Sequence, residues 1–472
     1  MRELVKQSNV IFTSANNQEN TTTRRQHRKM ESALKETPID CTGKDIRFSN
    51  KDGKFFGFTL DEISRKVLLV GDSGEGKTNA FYQLFEQVSE QPNSVNIIFD
   101  SKGDFYKRYG GKNDDCVIEG FTYNFENGVS GAGDYVRCQN AQNSPIKKWN
   151  VFDEVLIDEN PAAISREIAK ILNDDKDNDN RQVFFKNAAV TLMDMSISVL
   201  CNDYYVKGVK PSNQLLVDFL RMSPEIILQR AAEYRLDSRI SGLITPARDG
   251  AYNGQTLGIM GEVNNIVSNL FVGNFAEAGD FSIRQAIRNC QFKNIYIEYD
   301  ITYGKTLSPI YACLIMLAIK EAMGRYPTPK VNLFIDELAL LDYIPDIEAA
   351  VSFGREQGLF IAASLQHIGQ LRSKYTREIA DGMLNNFRNL IAFKCSDYET
   401  REFIKNRFGQ IYKHHTIYRS LNEPGSLNKL EFSISDEDIL SLKRGEAIIS
   451  TADSNSCFKF RFKNIKDGEQ DE

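Results

Sequence analysis

The sequence has few of the features that mark a metal-binding, disulfide-bonded or membrane-spanning protein. Its eight cysteines are scattered without a Cys-x-x-Cys pair, and its four histidines have no spacing typical of metal ligands. This pattern favours reduced thiols over disulfide bonds or a zinc site. The longest apolar runs, such as residues 310–319, are too short or too interrupted to span a bilayer, so we predict neither a transmembrane segment nor a signal peptide.

An excess of positive charge is missing as well. The chain has 58 lysines and arginines against 64 aspartates and glutamates, which gives a net charge of −6. This balance does not indicate nucleic-acid binding, but a ring or a groove can still concentrate basic residues on one face. With 472 residues, of which 41% are apolar and 26% charged, the chain has the size and composition of a globular protein with two or three domains.

What the sequence does contain is a complete phosphate-binding loop. Residues 71–78 read GDSGEGKT and fit G-x-x-x-x-G-K-[ST], between an apolar strand at 66–70 and a helical pattern at 78–88. Backbone N–H groups in such a loop surround phosphates, helped by the partial positive charge of the helix N-terminus. We predict that Lys77 reaches the β- and γ-phosphates and that the Thr78 hydroxyl binds Mg²⁺. The predicted nucleotide-binding residues are Gly71, Asp72, Ser73, Gly74, Glu75, Gly76, Lys77 and Thr78.

A second motif lies far downstream, where residues 331–337 read VNLFIDE and form an apolar strand that ends in two acids. Polar residues just past the carboxyl end of a buried parallel strand face the ligand crevice. We predict that Asp336 holds Mg²⁺ through water and that Glu337 orients and deprotonates the attacking water. A water-activating glutamate would be harmful in a kinase, so the pair favours hydrolysis of a nucleoside triphosphate with mechanical output.

The order of the predicted elements indicates a split nucleotide-binding domain. Strands and helices alternate over residues 41–151 and again over 291–472, which predicts an α/β fold with a doubly wound, mainly parallel sheet. Residues 152–290 carry helical patterns, beginning with Asn160-Pro161 as a helix start, and predict an inserted all-α domain.

Residues 1–40 are polar with a basic cluster. A solvated tail is the preferred interpretation, ahead of contact with DNA, anionic lipid or a membrane partner. Further strands are predicted at 95–99, 294–299, 359–363 and 390–393, with a closing hairpin from 447–449 and 458–462.

These motifs resemble the type IV coupling proteins, the TraG/TraD/TrwB-like ATPases of conjugation and type IV secretion within the FtsK/HerA group. The resemblance covers about residues 55–462 and implies a RecA-like P-loop NTPase fold. Ser101 and Val151 stand where the family usually has proline, and the family's N-terminal membrane helices are not found. Besides GDSGEGKT, the matching segments are FDSKGDF (99–105), KWNVFDE (148–154) and the stretches 336–371, 385–404 and 433–449.

The resemblance implies further site residues. Arg355, in FGREQG, matches the family's arginine finger, which reaches the γ-phosphate of the neighbouring subunit. Arginine suits this task because its planar, positively charged guanidinium group stabilises the negative charge that spreads over the phosphoryl oxygens. Gln366 matches the polar sensor of the γ-phosphate. The resemblance thus implies ATP and Mg²⁺ as cofactors and a catalytic set that consists of Lys77, Glu337, Arg355 and Gln366.

The resemblance also implies partners. Family members form rings, usually hexamers, with ATP between subunits, and the expected substrate is DNA, single-stranded or bound to a relaxase. Components of a type IV secretion channel, or a separate membrane anchor, would hold the protein in the cytoplasm at the inner face of the bacterial membrane.

Two alternative functions stay open. One is a soluble FtsK/HerA-type DNA translocase for DNA processing or defence, which the missing membrane helices support. The other is an ATP-dependent receptor for secreted proteins, which the water-activating acid disfavours.

Overall fold

The computed structural model describes most of the chain outside the predicted tail. It covers residues 44–50, 55–122, 145–173, 180–245, 250–324, 329–420, 423–452 and 457–465, apart from the side chains of 180–182 and 412–428. The tail predicted at 1–40 lies outside these residues. The six cysteines among them form no disulfide, namely Cys116, Cys201, Cys290, Cys313, Cys395 and Cys457.

The elements follow the predicted order of an α/β part, a helical part and a second α/β part. The first part comprises β1 (Ile46–Ser49), β2 (Phe55–Phe58), α1 (Leu60–Ser64), β3 (Val67–Val70), α2 (Lys77–Ser89), β4 (Ser94–Asp100), α3 (Asp104–Tyr109) and β5 (Asp115–Ile118). The helical part comprises α4 (Val151–Val155), α5 (Pro161–Leu172), α6 (Asn180–Lys207), α7 (Asn213–Leu220), α8 (Pro224–Glu233), α9 (Gly254–Leu270) and α10 (Ile283–Arg288).

The second α/β part begins directly after the helices. It comprises β6 (Asn294–Glu298), α11 (Gly304–Ala322), β7 (Lys330–Ile335), α12 (Ile347–Phe353), β8 (Leu359–Leu365), α13 (Ile368–Lys374), α14 (Arg377–Asn386), β9 (Asn389–Ala392), α15 (Tyr398–Phe408), β10 (Gln410–Ser420), β11 (Glu423–Phe432), α16 (Asp436–Leu440), β12 (Glu446–Ser450) and β13 (Cys457–Arg461). The predicted closing hairpin is confirmed as β12–β13. The separate two-stranded hairpin β10–β11 was not predicted.

A nine-stranded sheet forms the centre of the protein, in the order β13-β12-β9-β3-β8-β7-β4-β6-β5. Its strands from β9 to β5 run parallel, and β12 runs antiparallel to both of its neighbours, β9 and β13. Strand β3 is buried on both faces, since Leu68 and Val70 belong to one hydrophobic core and Val67 and Leu69 to another. Continuous apolar strands of this kind are typical of parallel sheets covered by helices on both sides. The predicted α/β fold with a doubly wound, mainly parallel sheet is confirmed.

The helices α4–α10 lie between β5 and β6, where the sequence predicts the inserted all-α domain. A buried glutamate ties the two ends of this helical block together. Glu154 accepts hydrogen bonds from Trp149 Nε1 (3.1 Å), Ser282 Oγ (2.8 Å) and the backbone N–H of Ile283 (2.7 Å). Burial raises the pKa of Glu154 to about 7, and these hydrogen bonds oppose the rise. The domain boundaries themselves stay a prediction.

Helix α6 is the longest helix of the described part. Its stretch Val183–Lys207 is, within the residues the structure describes, the one helical segment long and apolar enough to cross a membrane, although 61% of its most apolar window is buried inside the protein. Buried core helices meet the same criteria of length and composition, so this stretch carries no membrane assignment.

A row of buried amide side chains crosses four neighbouring strands of the sheet. Asn332 Nδ2 donates to Asn96 Oδ1 (2.8 Å), Asn96 Nδ2 donates to Asn294 Oδ1 (2.8 Å), and Asn294 Nδ2 donates to Asp115 Oδ1 (2.7 Å). The strand register places Asn96 opposite both Asn294 and Asn332, which makes this row possible. Asn96 and Asn294 each donate and accept within the row and Asn332 donates to it, so all three buried amides have a hydrogen-bond partner.

Replacement of Asn96 by alanine is expected to lower the free energy of unfolding by about 2–4 kcal/mol, because the change leaves buried polar groups of Asn294 and Asn332 without their partner. Urea denaturation followed by circular dichroism measures the effect. Asn385→Ala removes an exposed asparagine from α14 and serves as the control, with an expected change within about 0.5 kcal/mol. Equal effects of the two substitutions would show that the row contributes nothing to stability.

Candidate active site

The predicted phosphate-binding loop connects β3 to α2. Gly74 and Gly76 adopt left-handed φ angles of 81° and 113°, which residues with a Cβ avoid. The Nζ atom of Lys77 donates to the backbone carbonyl of Gly71 at 2.5 Å and to that of Asp72 at 3.0 Å, so the side chain curls over the loop. Burial lowers the pKa of Lys77, and the negative charge of the nearby carboxylates opposes this effect.

Asp336 follows β7 directly and is buried. Its Oδ2 accepts a hydrogen bond from Ser101 Oγ, and its backbone carbonyl accepts one from Ser364 Oγ at 2.6 Å. Burial raises the pKa of Asp336, whereas the Ser101 hydrogen bond lowers it. Ser101 therefore orients the acid that is predicted to hold Mg²⁺, at a position where proline could not donate a hydrogen bond.

Glu337 lies beside Asp336 and is also buried. Burial raises the pKa of Glu337 to about 7, against the opposing effects of the Lys77 charge and of hydrogen bonds from Gln366. Its Oε1 has no hydrogen-bond partner among the residues that the structure describes. A buried carboxylate oxygen without a partner is costly unless a ligand or a water satisfies it, so Glu337 has the free acceptor that a water-activating base requires.

One cavity of about 770 Å³ brings most of these groups together. It is large enough for a nucleoside triphosphate. The predicted residues that line it are Ser73, Gly74, Gly76, Lys77, Thr78, Asp336, Glu337 and Gln366.

Three predicted loop residues do not line this cavity. Gly71 and Asp72 hold Lys77 through their carbonyl groups, and the Asp72 carboxylate accepts from the backbone N–H of Ser396 at 2.8 Å. The Glu75 carbonyl accepts from Gly445 N at 2.8 Å.

Arg355 lies away from this cavity. It belongs to the 3₁₀ turn Gly354–Gln357 that precedes β8, whereas Gln366 directly follows the same strand. A strand of seven residues that rises about 3.3 Å per residue is roughly 20 Å long, so the two residues occupy opposite edges of the sheet. The Arg355 side chain is exposed and forms an ion pair with Asp61. An arginine in this position is too far away to reach phosphates bound in the cavity of its own chain.

Comparison with known proteins identifies the family. The family model of the type IV secretion-system coupling protein DNA-binding domain matches residues 56–417. This chain belongs to that family. The resemblance that the sequence motifs indicate is therefore confirmed. No curated protein sequence matches the chain significantly.

Solved structures of coupling proteins share the fold. A bacterial conjugative coupling protein, TrwBdeltaN70 in complex with sulphate, superposes with a TM-score of 0.69 at 18% identity over 94% of each chain. The plasmid coupling protein TrwB in complex with ADP and Mg²⁺ gives a TM-score of 0.67 at 18% identity, again over 94% of each chain. VirB4 of Thermoanaerobacter pseudethanolicus gives 0.52 at 12% identity, over 90% of this chain and 98% of that one. At these identities the likeness shows the fold alone, here the RecA-like P-loop fold.

The cavity of this coupling protein has a second wall that the sequence analysis did not predict. The residues around β12 and β13, which we call the hairpin wall, close the cavity opposite the acidic pair. They are Arg444, Gly445, Arg461, Phe462, Asn464 and Ile465. Gly445 packs so tightly against the loop that a Cβ on Gly76 would lie 3.1 Å from its Cα. Although the stretch 433–449 resembles the family, nothing in the local sequence places these residues at the site, because the pairing of β12 with β9 brings them there.

The end of β4 has two roles in this coupling protein. Asp100 is fully buried and accepts a hydrogen bond from the backbone N–H of Tyr106 at 2.9 Å, so it supports the start of α3. Lys102, two residues later, is exposed and lines the cavity with Ser101. Its positive charge acts on both Asp336 and Lys77. Lys102 therefore contributes to the electrostatics of the candidate site.

Proposed function

We propose that this chain hydrolyses ATP with Mg²⁺ as cofactor and works as one subunit of a ring motor that delivers DNA to a conjugation or type IV secretion channel. The observation that carries the proposal is the meeting of Lys77, Thr78, Asp336 and Glu337 in one cavity of suitable size. Family membership and the TrwB complexes with ADP and Mg²⁺ and with the ATP analogue ADPNP support it.

The residues of the cavity fit ATP and Mg²⁺ by their chemistry. The loop and the N-terminus of α2 offer backbone N–H groups to the phosphates, and Lys77 exchanges its two carbonyl acceptors for phosphate oxygens. The Thr78 hydroxyl would bind Mg²⁺ and Asp336 would hold it through water, while Ser101 keeps the Asp336 carboxylate in place. When bound, Mg²⁺ neutralises charge on the phosphate oxygens.

Glu337 is the residue that we assign to the proton transfer. Glu337 lines the cavity, and its Oε1, which has no partner among the described residues, would accept the proton of the attacking water. Gln366, which directly follows β8, hydrogen-bonds to Glu337 and lines the same cavity. Loss of the γ-phosphate would therefore be transmitted through this contact to the end of β8. Arg355 completes the site in trans, because it lies at the sheet edge opposite its own cavity. Hydrolysis then depends on assembly into a ring, which we expect to be a hexamer.

Family membership supports the partners that we propose. The matched family model describes a DNA-binding domain, and we expect single-stranded or relaxase-bound DNA as the substrate. Contacts with a DNA backbone are largely electrostatic, so binding should weaken as salt rises. We place the protein in the cytoplasm, at the inner face of the bacterial membrane when a channel component or a membrane anchor holds it there.

The decisive experiment is the ATP hydrolysis rate of the purified protein at several concentrations, with and without single-stranded DNA, and with Lys77→Ala as the blank. We expect the rate to rise with DNA and to increase more than linearly with protein concentration, because Arg355 acts between subunits. A rate no higher than that of Lys77→Ala would contradict the proposal. A rate above the blank but indifferent to DNA would favour the ATP-dependent receptor for secreted proteins instead.

A further inference from the structure

The strand order indicates the direction in which a nucleotide bound to the loop would run. Glu337 and Gln366, which the proposed function places at the γ-phosphate, follow β7 and β8 on one side of β3. The phosphate-binding loop follows β3 itself. Strands β9, β12 and β13 lie on the other side of β3. Since neighbouring strands are about 4.8 Å apart, an extended nucleotide spans several of them, and its nucleoside end reaches the edge where β12 begins and β13 ends.

The hairpin wall stands at that edge of the sheet. Within the described part of the chain, the guanidinium groups of Arg444 and Arg461 make neither a hydrogen bond nor an ion pair, although both side chains line the cavity. The planar guanidinium group stacks on the faces of nucleobases and donates several hydrogen bonds. Tyr82, Asn79 and Ile465 add an aromatic ring, an amide and an apolar surface nearby. Such a mixture of apolar and polar groups suits a base and a ribose better than it suits phosphates alone.

The wall is held in place by the helix that carries the phosphate-binding loop. Asn79, which directly follows Thr78, donates to the backbone carbonyl of Lys463 and accepts from the backbone N–H of Ile465, both at 2.8 Å. Gln83, one turn further along α2, donates to the same Lys463 carbonyl at 2.9 Å. The position of the wall relative to the loop is thus fixed before any ligand binds, and a preformed site binds without the cost of ordering it.

We propose that the hairpin wall binds the nucleoside half of the nucleotide, with Arg444 and Arg461 in contact with the base and the ribose. This inference rests on the proposed function, because it takes the phosphates to lie on the loop. It assigns a binding role to two arginines that are not part of the loop, the acidic pair or the finger. The loop and Lys77 then provide phosphate affinity, and the two arginines provide the additional affinity for a nucleoside.

Calorimetric titration of the full chain with ADP and with inorganic tripolyphosphate, both with Mg²⁺, tests this inference. We expect Arg444→Ala/Arg461→Ala to weaken ADP binding about tenfold or more, and to leave tripolyphosphate binding within about twofold of the unchanged protein. Arg461→Lys keeps the positive charge but loses the planar guanidinium group, and it should also weaken ADP binding. Lys443→Ala is the matched control, because it removes an exposed cation from the same segment without touching the cavity.

Two results would overturn the assignment. ADP affinity of the double variant within about twofold of the unchanged protein would show that the arginines make no contact with the nucleotide. An equal loss of affinity for ADP and tripolyphosphate would show that they act only as positive charges towards phosphate. A different result, in which the unchanged protein binds neither ligand, would overturn the proposed ATPase function itself. Circular dichroism melts of each variant confirm that the fold is intact.

Discussion

Replacement of Glu337 by glutamine is expected to lower kcat for ATP hydrolysis by about 10²–10³-fold, while ATP affinity stays within about threefold. Glutamine fills the same space but does not accept the proton of the attacking water. Nucleotide binding is retained, because the phosphates are held by the loop and Lys77. Steady-state hydrolysis and calorimetric ATP binding measure the two effects separately. Glu437→Gln, which neutralises an exposed glutamate on α16, is the control, and it should leave both quantities unchanged.

The pH profile sharpens this expectation. Burial raises the pKa of Glu337 to about 7, and a general base must be ionised, so kcat/KM should fall with decreasing pH below about 7. Glu337→Gln should lack this limb. The folded pKa lies above the ordinary value of 4.5, so stability decreases as pH rises from 4.5 through 7. The glutamine variant should therefore be more stable than the unchanged protein at pH 8, by up to about 3 kcal/mol. If kcat/KM depended on pH in the same way in the unchanged protein and in Glu337→Gln, the general base would be another residue.

Replacement of Arg355 by alanine is expected to reduce hydrolysis by about 10³-fold or more, which is the effect typical of an arginine finger. The loss should be in kcat, because Arg355 does not line the cavity in which its own chain binds nucleotide. Arg377→Ala provides the control, since Arg377 is also exposed and also pairs with an aspartate, Asp381. It should leave the rate unchanged.

Mixing two inactive variants distinguishes action in trans from action in cis. Arg355→Ala subunits keep an intact cavity, and Lys77→Ala subunits keep an intact finger. In a random equal mixture about a quarter of the interfaces combine the two intact parts, so activity should return to about that fraction. No recovery in a mixture that still assembles would show that Arg355 serves its own chain, or that its loss is purely structural.

The core of the site could be predicted because its signals are local. The phosphate-binding loop depends on glycines within eight residues, and Gly76 indeed adopts a backbone conformation that other residues avoid. The acidic pair follows from one apolar strand and its last two residues. The alternation of strands and helices was sufficient to predict a mainly parallel sheet, because most of its parallel strands are buried on both faces and therefore have short apolar sequences.

The features that were missed depend on which strands become neighbours. Arg444 and Arg461 reach the cavity because β12 pairs with β9, and Asn96 meets Asn294 and Asn332 because β4 lies between β6 and β7. Neither pairing leaves a trace in the local sequence. The β10–β11 hairpin was missed for another reason, since residues 410–432 contain no continuous apolar run and mix charged with apolar residues. The expectation that Arg355 acts in trans came only from the family resemblance.

The hairpin wall has a consequence for the synthesis of the protein. Translation reaches the loop, the acidic pair and Arg355 long before residue 444, so a chain that stops early would carry these parts without the wall. It would also lack β12 and β13, which leaves β9 as an unpaired edge of the sheet. Exposed strand edges promote aggregation, and aggregating fragments are removed by proteases. We expect a chain truncated in this way to be lost to aggregation and proteolysis, so the late hairpin would favour complete chains among the subunits that persist.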